Sequence, residues 1–177
     1  MRLPGDASPR ERLRQIIRVD QAGEYGAKRI YEGQLRILGE SALGPILRHM
    51  ARQEARHLQA FDRLMVEGRV RPSALNPLWH VAGFALGAAT ALLGERAAMA
   101  CTVAVEEVID EHYRAQSEEL GESHPQLAAR IEEFRAEEIE HRDTALAHGA
   151  AEAGVYPLLS LAIKTGSRLA IWLATRI

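Results

Sequence analysis

The chain has 177 residues, 26% of them charged, with a formal net charge of −2 and a single cysteine. That length can bury one real core, and the sequence reads as a single domain over residues 1–177. The small net charge argues against a nucleic-acid partner, and a lone Cys101 excludes an internal disulfide or a thiolate metal site. Its neighbours in Ala98-Met-Ala-Cys-Thr-Val-Ala-Val105 are small and apolar, so Cys101 reads as a buried packing residue. Met1 to Pro9 holds no apolar run of the kind a secretory leader needs, so secretion is not expected.

Ser8-Pro9-Arg10-Glu11 is a helix start, with a capping serine, a proline at the first position and a glutamate completing a capping box. The apolar spacing predicts a helix from Pro9 to Leu38, ended by Gly39. Glu24 lies inside it between Gly23 and Gly26. Each glycine costs roughly 1 kcal/mol in a helix, which points to close packing or to access for a ligand. A second helix is predicted from Pro45 to about Glu67. Ile46, Met50, Glu54, His57, Phe61 and Leu64 share one face of it, while Arg48, Arg52, Arg56, Arg63 and His49 lie off that face. A carboxylate on an apolar stripe is costly unless paired or bound to metal.

Residues 68–76 read as a linker ending in the cap-and-start pair Asn76-Pro77. Leu78 to Leu93 carries no formal charge. As a helix it would be about 24 Å long, short of the roughly 30 Å needed to span a bilayer. It reads either as a buried helix or as one half-sunk in a membrane surface. The next helix is predicted from Glu95 or Arg96 to Leu120, stopped by Gly121. Glu106 fits its inward side, three residues from both Val103 and Ile109, and Glu107 then leans to the edge. Ser123-His-Pro-Gln126 reads as a capping signature for a helix running to about Ala153, with Gly154 as its stop. Its inward stripe is Leu127, Ile131, Phe134, Glu138, His141 and Ala145, leaving Glu137 and Glu140 toward solvent and His124 and His148 without ligand spacing. The last segment, Pro157 to Ile177, is apolar with Lys164, Arg168 and Arg176 and no acid. It reads either as an amphipathic helix for a membrane interface or as a helix packed on the bundle.

Two Glu-x-x-His pairs, Glu54/His57 and Glu138/His141, stand out. Residues i and i+3 share a helix face about 5–6 Å apart, so each pair can hold one metal ion. Glu24 and Glu106 precede them at similar distances. A glutamate from each of two helices plus Glu-x-x-His from two others is the ligand set of ferritin-like di-iron and di-manganese bundles. The expected fold is therefore all-α: a ferritin-like four-helix bundle with an extra apolar crossover helix and a C-terminal amphipathic helix. Oxygen-rich ligands with two imidazoles suit iron or manganese.

The stretches Arg18-Val-Asp-Gln-Ala-Gly-Glu-Tyr-Gly26, Pro77-Leu-Trp79, Gly83-Phe-Ala-Leu-Gly87, Thr90-Ala-Leu-Leu-Gly94, Ala98-Met-Ala-Cys-Thr-Val-Ala-Val-Glu-Glu107 and Phe134-Arg-Ala-Glu-Glu-Ile-Glu-His141 resemble the demethoxyubiquinone hydroxylases of ubiquinone biosynthesis. The resemblance runs from about Ile16 to the C-terminus. It implies two iron ions held by Glu24, Glu54, His57, Glu106, Glu138 and His141, with His112 and Tyr113 beside them in catalytic roles. It implies hydroxylation of the ring of a polyprenyl demethoxyubiquinol with O2 as co-substrate and NADH as a reductant. A membrane surface, a lipid-binding partner protein of the same biosynthesis and a homo-oligomer are the implied associations. The location implied is peripheral, on the cytoplasmic face of a bacterial inner membrane or the matrix side of a mitochondrial one. Two other readings stay open, a ferritin-like iron-storage or oxidant-detoxifying protein and a non-catalytic quinone-binding scaffold.

Overall fold

Ser8 starts the fold as its residue type requires. Its hydroxyl accepts from the Glu11 amide at 3.2 Å, and the Glu11 carboxylate accepts from the Ser8 amide at 2.8 Å, closing the capping box. The computed structural model describes residues 7–154 and 156–177. Most of the Met1–Pro9 stretch, read above as carrying no leader, therefore lies outside the described residues. Six α-helices follow: α1 Pro9–Leu38, α2 Gly44–Gly68, α3 Asn76–Leu92, α4 Glu95–Leu120, α5 Pro125–Ala147 and α6 Tyr156–Ala174. The described residues contain no strand. The protein is a ferritin-like all-α bundle.

Helices α1, α2, α4 and α5 form the bundle. Each buries a stripe that carries metal-ligand residue types between apolar layers. Tyr31, Leu47, Met50, Met99, Val103 and Ala145 pack one layer. Ile16, Phe61, Tyr113, Ile131 and Phe134 pack another. The remaining helices are overlaid, α3 on α1 and α6 on α4. The architecture is thus one three-helix unit used twice, with α3 and α6 in equivalent places.

Three predicted termini differ. Helix α5 ends at Ala147, not near Ala153. Gly149 sits at φ +81°, a left-handed conformation that glycine adopts without a Cβ clash. It turns the chain so that Ala150 and Ala153 enter the core. Ser123 does not cap α5, because its hydroxyl donates back to the Leu120 carbonyl at 2.6 Å at the end of a 3₁₀ turn. Asn76 is the first residue of α3 rather than its cap, and its amide donates to Gln21 Oε1 at 3.4 Å.

Helix α3 is not a buried helix. Only Gly87, Thr90 and Ala91 are buried, while Leu78, Val81, Leu92 and Leu93 face outward. Helix α6 is also surface-lying, and its cations pair with acids of α4. Lys164 pairs with Glu107, and Arg168 pairs with Glu111 at 2.9 Å. Leu158, Leu161, Leu169 and Trp172 are left outward. No helix of the described residues is long and apolar enough to cross a membrane. Cys101 is fully buried, as expected.

Helices α1 and α3 cross at glycine contacts. A Cβ on Gly87 would lie 2.0 Å from the Ile30 carbonyl oxygen, and one on Gly33 would lie 2.2 Å from that of Phe84. Both obstacles are backbone, so relief requires the helices to separate. Gly87→Ala is expected to destabilise the protein by about 1–3 kcal/mol despite alanine's better helix propensity. A thermal melt at or above the wild-type midpoint would refute the close crossing.

Candidate metal centre

Six side chains from four helices converge between the apolar layers. Glu24 comes from α1, Glu54 and His57 from α2, Glu106 from α4, and Glu138 and His141 from α5, none more than 2% exposed. Two groups form, each with its ligand atoms within 4.8 Å of one another. One is Glu24, Glu54, His57 and Glu138, and the other is Glu54, Glu106, Glu138 and His141. Glu54 and Glu138 belong to both groups, so each Glu-x-x-His pair is not a separate ion site. Its glutamate is common to both groups, while its histidine belongs to one.

The imidazoles face the centre through Nδ1. His57 Nδ1 lies 3.0 Å from Glu138 Oε1 and 3.5 Å from Glu24 Oε2. His141 Nδ1 lies 3.0 Å from Glu138 Oε2 and 3.3 Å from Glu54 Oε1. The centre fits cations. Glu24 Oε2, both oxygens of Glu54, Glu106 Oε2, Glu138 Oε1 and His57 Nδ1 are buried with no hydrogen-bond partner. Buried polar atoms are ordinarily satisfied, so this many unpaired acceptors aimed at one space call for a positive ligand. Four carboxylates and two neutral imidazoles would balance two divalent ions.

The electrostatics agree. Burial raises the pKa of Glu54 and Glu106 well above the ordinary carboxylate range, and the charge of Glu138 adds to it. Burial raises Glu24 as well. Burial opposes charge on Glu138 too, but the imidazoles of His141 and His57 beside it outweigh it and lower its pKa to about 2. Burial would lower both imidazoles. The facing carboxylates outweigh it, Glu138 and Glu24 for His57, raised to about 12, and Glu138 and Glu54 for His141, raised to about 11. Protons thus neutralise the cluster where metal ions would otherwise do so.

Around the six stands a ring of side chains, of which the family resemblance named His112 and Tyr113 and reading the sequence missed the rest. Tyr31 donates to Glu106 Oε1 at 2.8 Å, and Tyr113 donates to Glu24. Burial beside these carboxylates raises both phenols well above their usual range, so they remain donors. Glu137, expected toward solvent, instead accepts from Gln53 at 3.1 Å and meets His57 Nε2 at 2.9 Å. Helix α2 brings Gln53 and His57 across to α5, one turn apart, which the α5 stripe alone could not reveal. Asp20 is buried against His112 Nε2 at 3.1 Å and Gln116 at 2.7 Å. Internal repetition was the available signal. Tyr31 and Tyr113 each follow a ligand glutamate by seven residues, and Gln34 and Gln116 each by ten.

A cavity of about 510 Å³ opens beside Glu24 between α1, α3, α4 and α6. Its wall is almost wholly apolar, with His112, Tyr113 and Asp20 as its protic groups near the centre. Gly23 and Gly26 line it, and a Cβ on either would meet nothing within 4 Å. These glycines therefore keep space open rather than serving close packing. A smaller cavity of about 270 Å³ lies at His141, with His49 and Met50 in its wall.

Fold and cluster together define the class, a ferritin-like carboxylate–imidazole bundle able to bind metal. Residues 11–174 match the family described as ubiquinone biosynthesis protein COQ7. The chain belongs to that family. It is 58% identical over 177 residues to the 3-demethoxyubiquinol 3-hydroxylase of Rhodospirillum rubrum, covering 99% of this chain and 84% of that protein. It is 51% identical to the NADPH-dependent 3-demethoxyubiquinone 3-hydroxylase, mitochondrial, of Homo sapiens, covering 97% of this chain and 81% of that one. The 5-demethoxyubiquinone hydroxylase, mitochondrial, of Saccharomyces cerevisiae is 44% identical, with 93% and 78% covered.

Metal binding must displace the protons that the cluster holds. His57 and His141 carry raised pKa values, so both are protonated at neutral pH and must deprotonate to ligate. Titrating Fe(II) or Co(II) into metal-free protein should release on the order of two protons per ion, because the raised Glu54 and Glu106 carboxyls give up protons as well as the imidazoles. Affinity should fall as pH is lowered, since acidification favours the protonated ligands. Calorimetry in buffers of different ionisation enthalpy measures the release, and a value of zero would contradict the protonated-imidazole state.

Proposed function

We propose that this chain is a di-iron monooxygenase that hydroxylates the ring of a polyprenyl demethoxyubiquinol. The observation that carries this reading is the apolar cavity leading from the surface between α3 and α6 to Glu24 and Tyr113. A storage protein needs a polar path for ions, whereas this wall suits an aromatic ring on a hydrocarbon tail. Family membership supports the same substrate class.

Glu24, Glu54, His57, Glu106, Glu138 and His141 would hold the two iron ions, Glu54 and Glu138 being common to both ligand groups. When bound, the iron supplies O2 activation. One oxygen atom enters a ring C–H as hydroxyl, and the other leaves as water with two electrons and two protons. The chain's own residues bind and orient. The cavity excludes bulk water and holds the ring beside Glu24. Tyr113 fixes the Glu24 carboxylate through its hydroxyl. His112, held by Asp20, and Tyr113 are placed to handle protons at the wall. The electrons come from a reduced nicotinamide. NADH is the form that the resemblance implied, and the human relative's name specifies NADPH.

The outward apolar side chains of α3 and α6 flank the cavity, and we assign them to a membrane interface. The tail of the substrate stays in the bilayer, and its ring enters between the helices. Burying the CH₂ groups of such a tail away from water favours this arrangement by about 0.8 kcal/mol each. The contact is peripheral, on the cytoplasmic face in a bacterium or the matrix side in a mitochondrion.

The test is the quinone pool, by mass spectrometry, of a host lacking its own final ring hydroxylase. The wild-type chain should convert demethoxyubiquinone to ubiquinone, and Glu138→Ala should abolish conversion with the helices formed. An unconverted pool despite folded, iron-loaded protein would reject the assignment. Gly26→Leu separates the cavity from the metal. It gains up to about 1 kcal/mol of helix propensity, yet it fills the ring's path. Stability should hold or rise and iron should stay bound while turnover falls; unchanged turnover would remove the cavity from the account.

A further inference from the structure

The metal centre has an internal two-fold pattern that is broken in one place where it touches the ligands' basicity. Gln53 and Glu137 occupy equivalent positions, each one residue before the glutamate of a Glu-x-x-His pair. They back opposite histidines. His57 Nε2 meets the Glu137 carboxylate at 2.9 Å, while His141 Nε2 meets Gln53 Oε1 at 3.1 Å. Gln53 Nε2 donates to Glu137 at 3.1 Å. Its amide is therefore oriented, and its carbonyl oxygen is the atom left for His141. Because both rings face the centre through Nδ1, a metal-ligating ring carries its proton on Nε2 and donates outward. His57 then donates to an anion, and His141 donates to a neutral amide.

We infer that Glu137 makes the two metal positions unequal, so that the position served by His57 and Glu24, beside the large cavity, binds its ion more tightly than the position served by His141 and Glu106. A hydrogen bond to an ionised acceptor is roughly twice as strong as one to a neutral acceptor, and it raises the basicity of the ligating nitrogen. Arg56 also reaches Glu137 at 3.0 Å, but it is 57% exposed, so solvent screens its charge. Glu137 is a positioning residue that acts through His57. The inference rests on the dimetal reading of the six ligands.

The experiment is an anaerobic titration of the purified, metal-free full chain with Co(II) and with ⁵⁷Fe(II), against a competing chelator. Two binding steps are expected from the wild type. Glu137→Gln keeps the size and a hydrogen-bonding oxygen but removes the charge. It should weaken the tight step by about tenfold to a hundredfold, the range for loss of a partner that orients a metal-bound histidine, and leave the weak step nearly unchanged. Gln53→Met should weaken the other step instead. In ⁵⁷Fe Mössbauer spectra the two ferrous signals should converge in Glu137→Gln, which a merely structural role would not produce. Should Glu137→Gln fail to fold by circular dichroism, Glu137→Asp retains the charge and should keep the two steps distinct. Equal weakening of both steps by either variant, or two indistinguishable wild-type steps, overturns the inference while leaving the monooxygenase reading intact. No binding of either ion by the wild type overturns both.

Discussion

Four carboxylates and two imidazoles buried in one layer of an apolar bundle are the constraint on which this structure depends. Removing one partner from a buried set of charges costs about 3–5 kcal/mol, because the remainder is left uncompensated. Every carboxylate here must therefore meet a cation, a proton or a donor. Glu138 meets both imidazoles, Glu106 meets Tyr31 and Glu24 meets Tyr113. Glu54 meets the His141 imidazole at 3.3 Å without a well-formed hydrogen bond on either oxygen, and it belongs to both ligand groups. The apolar layers on either side keep water from satisfying it. Stability of the bundle and readiness for metal are thus the same physical fact.

Much of this arrangement was legible because helical periodicity and metal ligation use the same spacing. The bounds of α1 followed from Ser8, Pro9 and Gly39. Glu106 separated from Glu107 because only one of two adjacent residues can face inward. The buried sextet of acids and imidazoles emerged because acids on an apolar stripe are expensive without a reason. What stayed hidden depended on neighbours in space. Glu137 lies off the α5 stripe and looks solvated until α2 places His57 and Arg56 beside it. The end of α5 depended on whether Gly149 or Gly154 would take the left-handed conformation, and the demand of Ala150 and Ala153 for core space decided it. The cations of α6 gave no sign that Glu107 and Glu111 waited for them on α4.

Those ion pairs also change what α6 is. With Lys164 and Arg168 held to Glu107 and Glu111 on α4, the charges of α6 lie along its α4 edge and Leu158, Leu161, Leu169 and Trp172 are left outward. Helix α3 presents the same kind of surface, and the two enclose the mouth of the large cavity. Glycines set the width of this opening from both directions. Gly33 and Gly87 pull α3 against α1, while Gly23 and Gly26 leave room on the wall facing the cavity. Close contact and open space are therefore both written with the same residue, and only the three-dimensional neighbour tells them apart.

The paired units explain why a near-symmetric frame can do directional chemistry. Tyr31 mirrors Tyr113, and Gln34 mirrors Gln116, so the core of the ligand layer is built the same way twice. The exceptions gather on one side. Asp20 stands where the other unit has Thr102, His112 where it has Ile30, and Glu137 where it has Gln53. Glu137 meets His57, while Asp20 and His112 stand with Glu24 in the wall of the large cavity. A symmetric layer holds two ions in similar fields and gives no preference to either face. Placing charged and protic groups on one half makes the two sides of the centre chemically distinct, and the large cavity opens on that half.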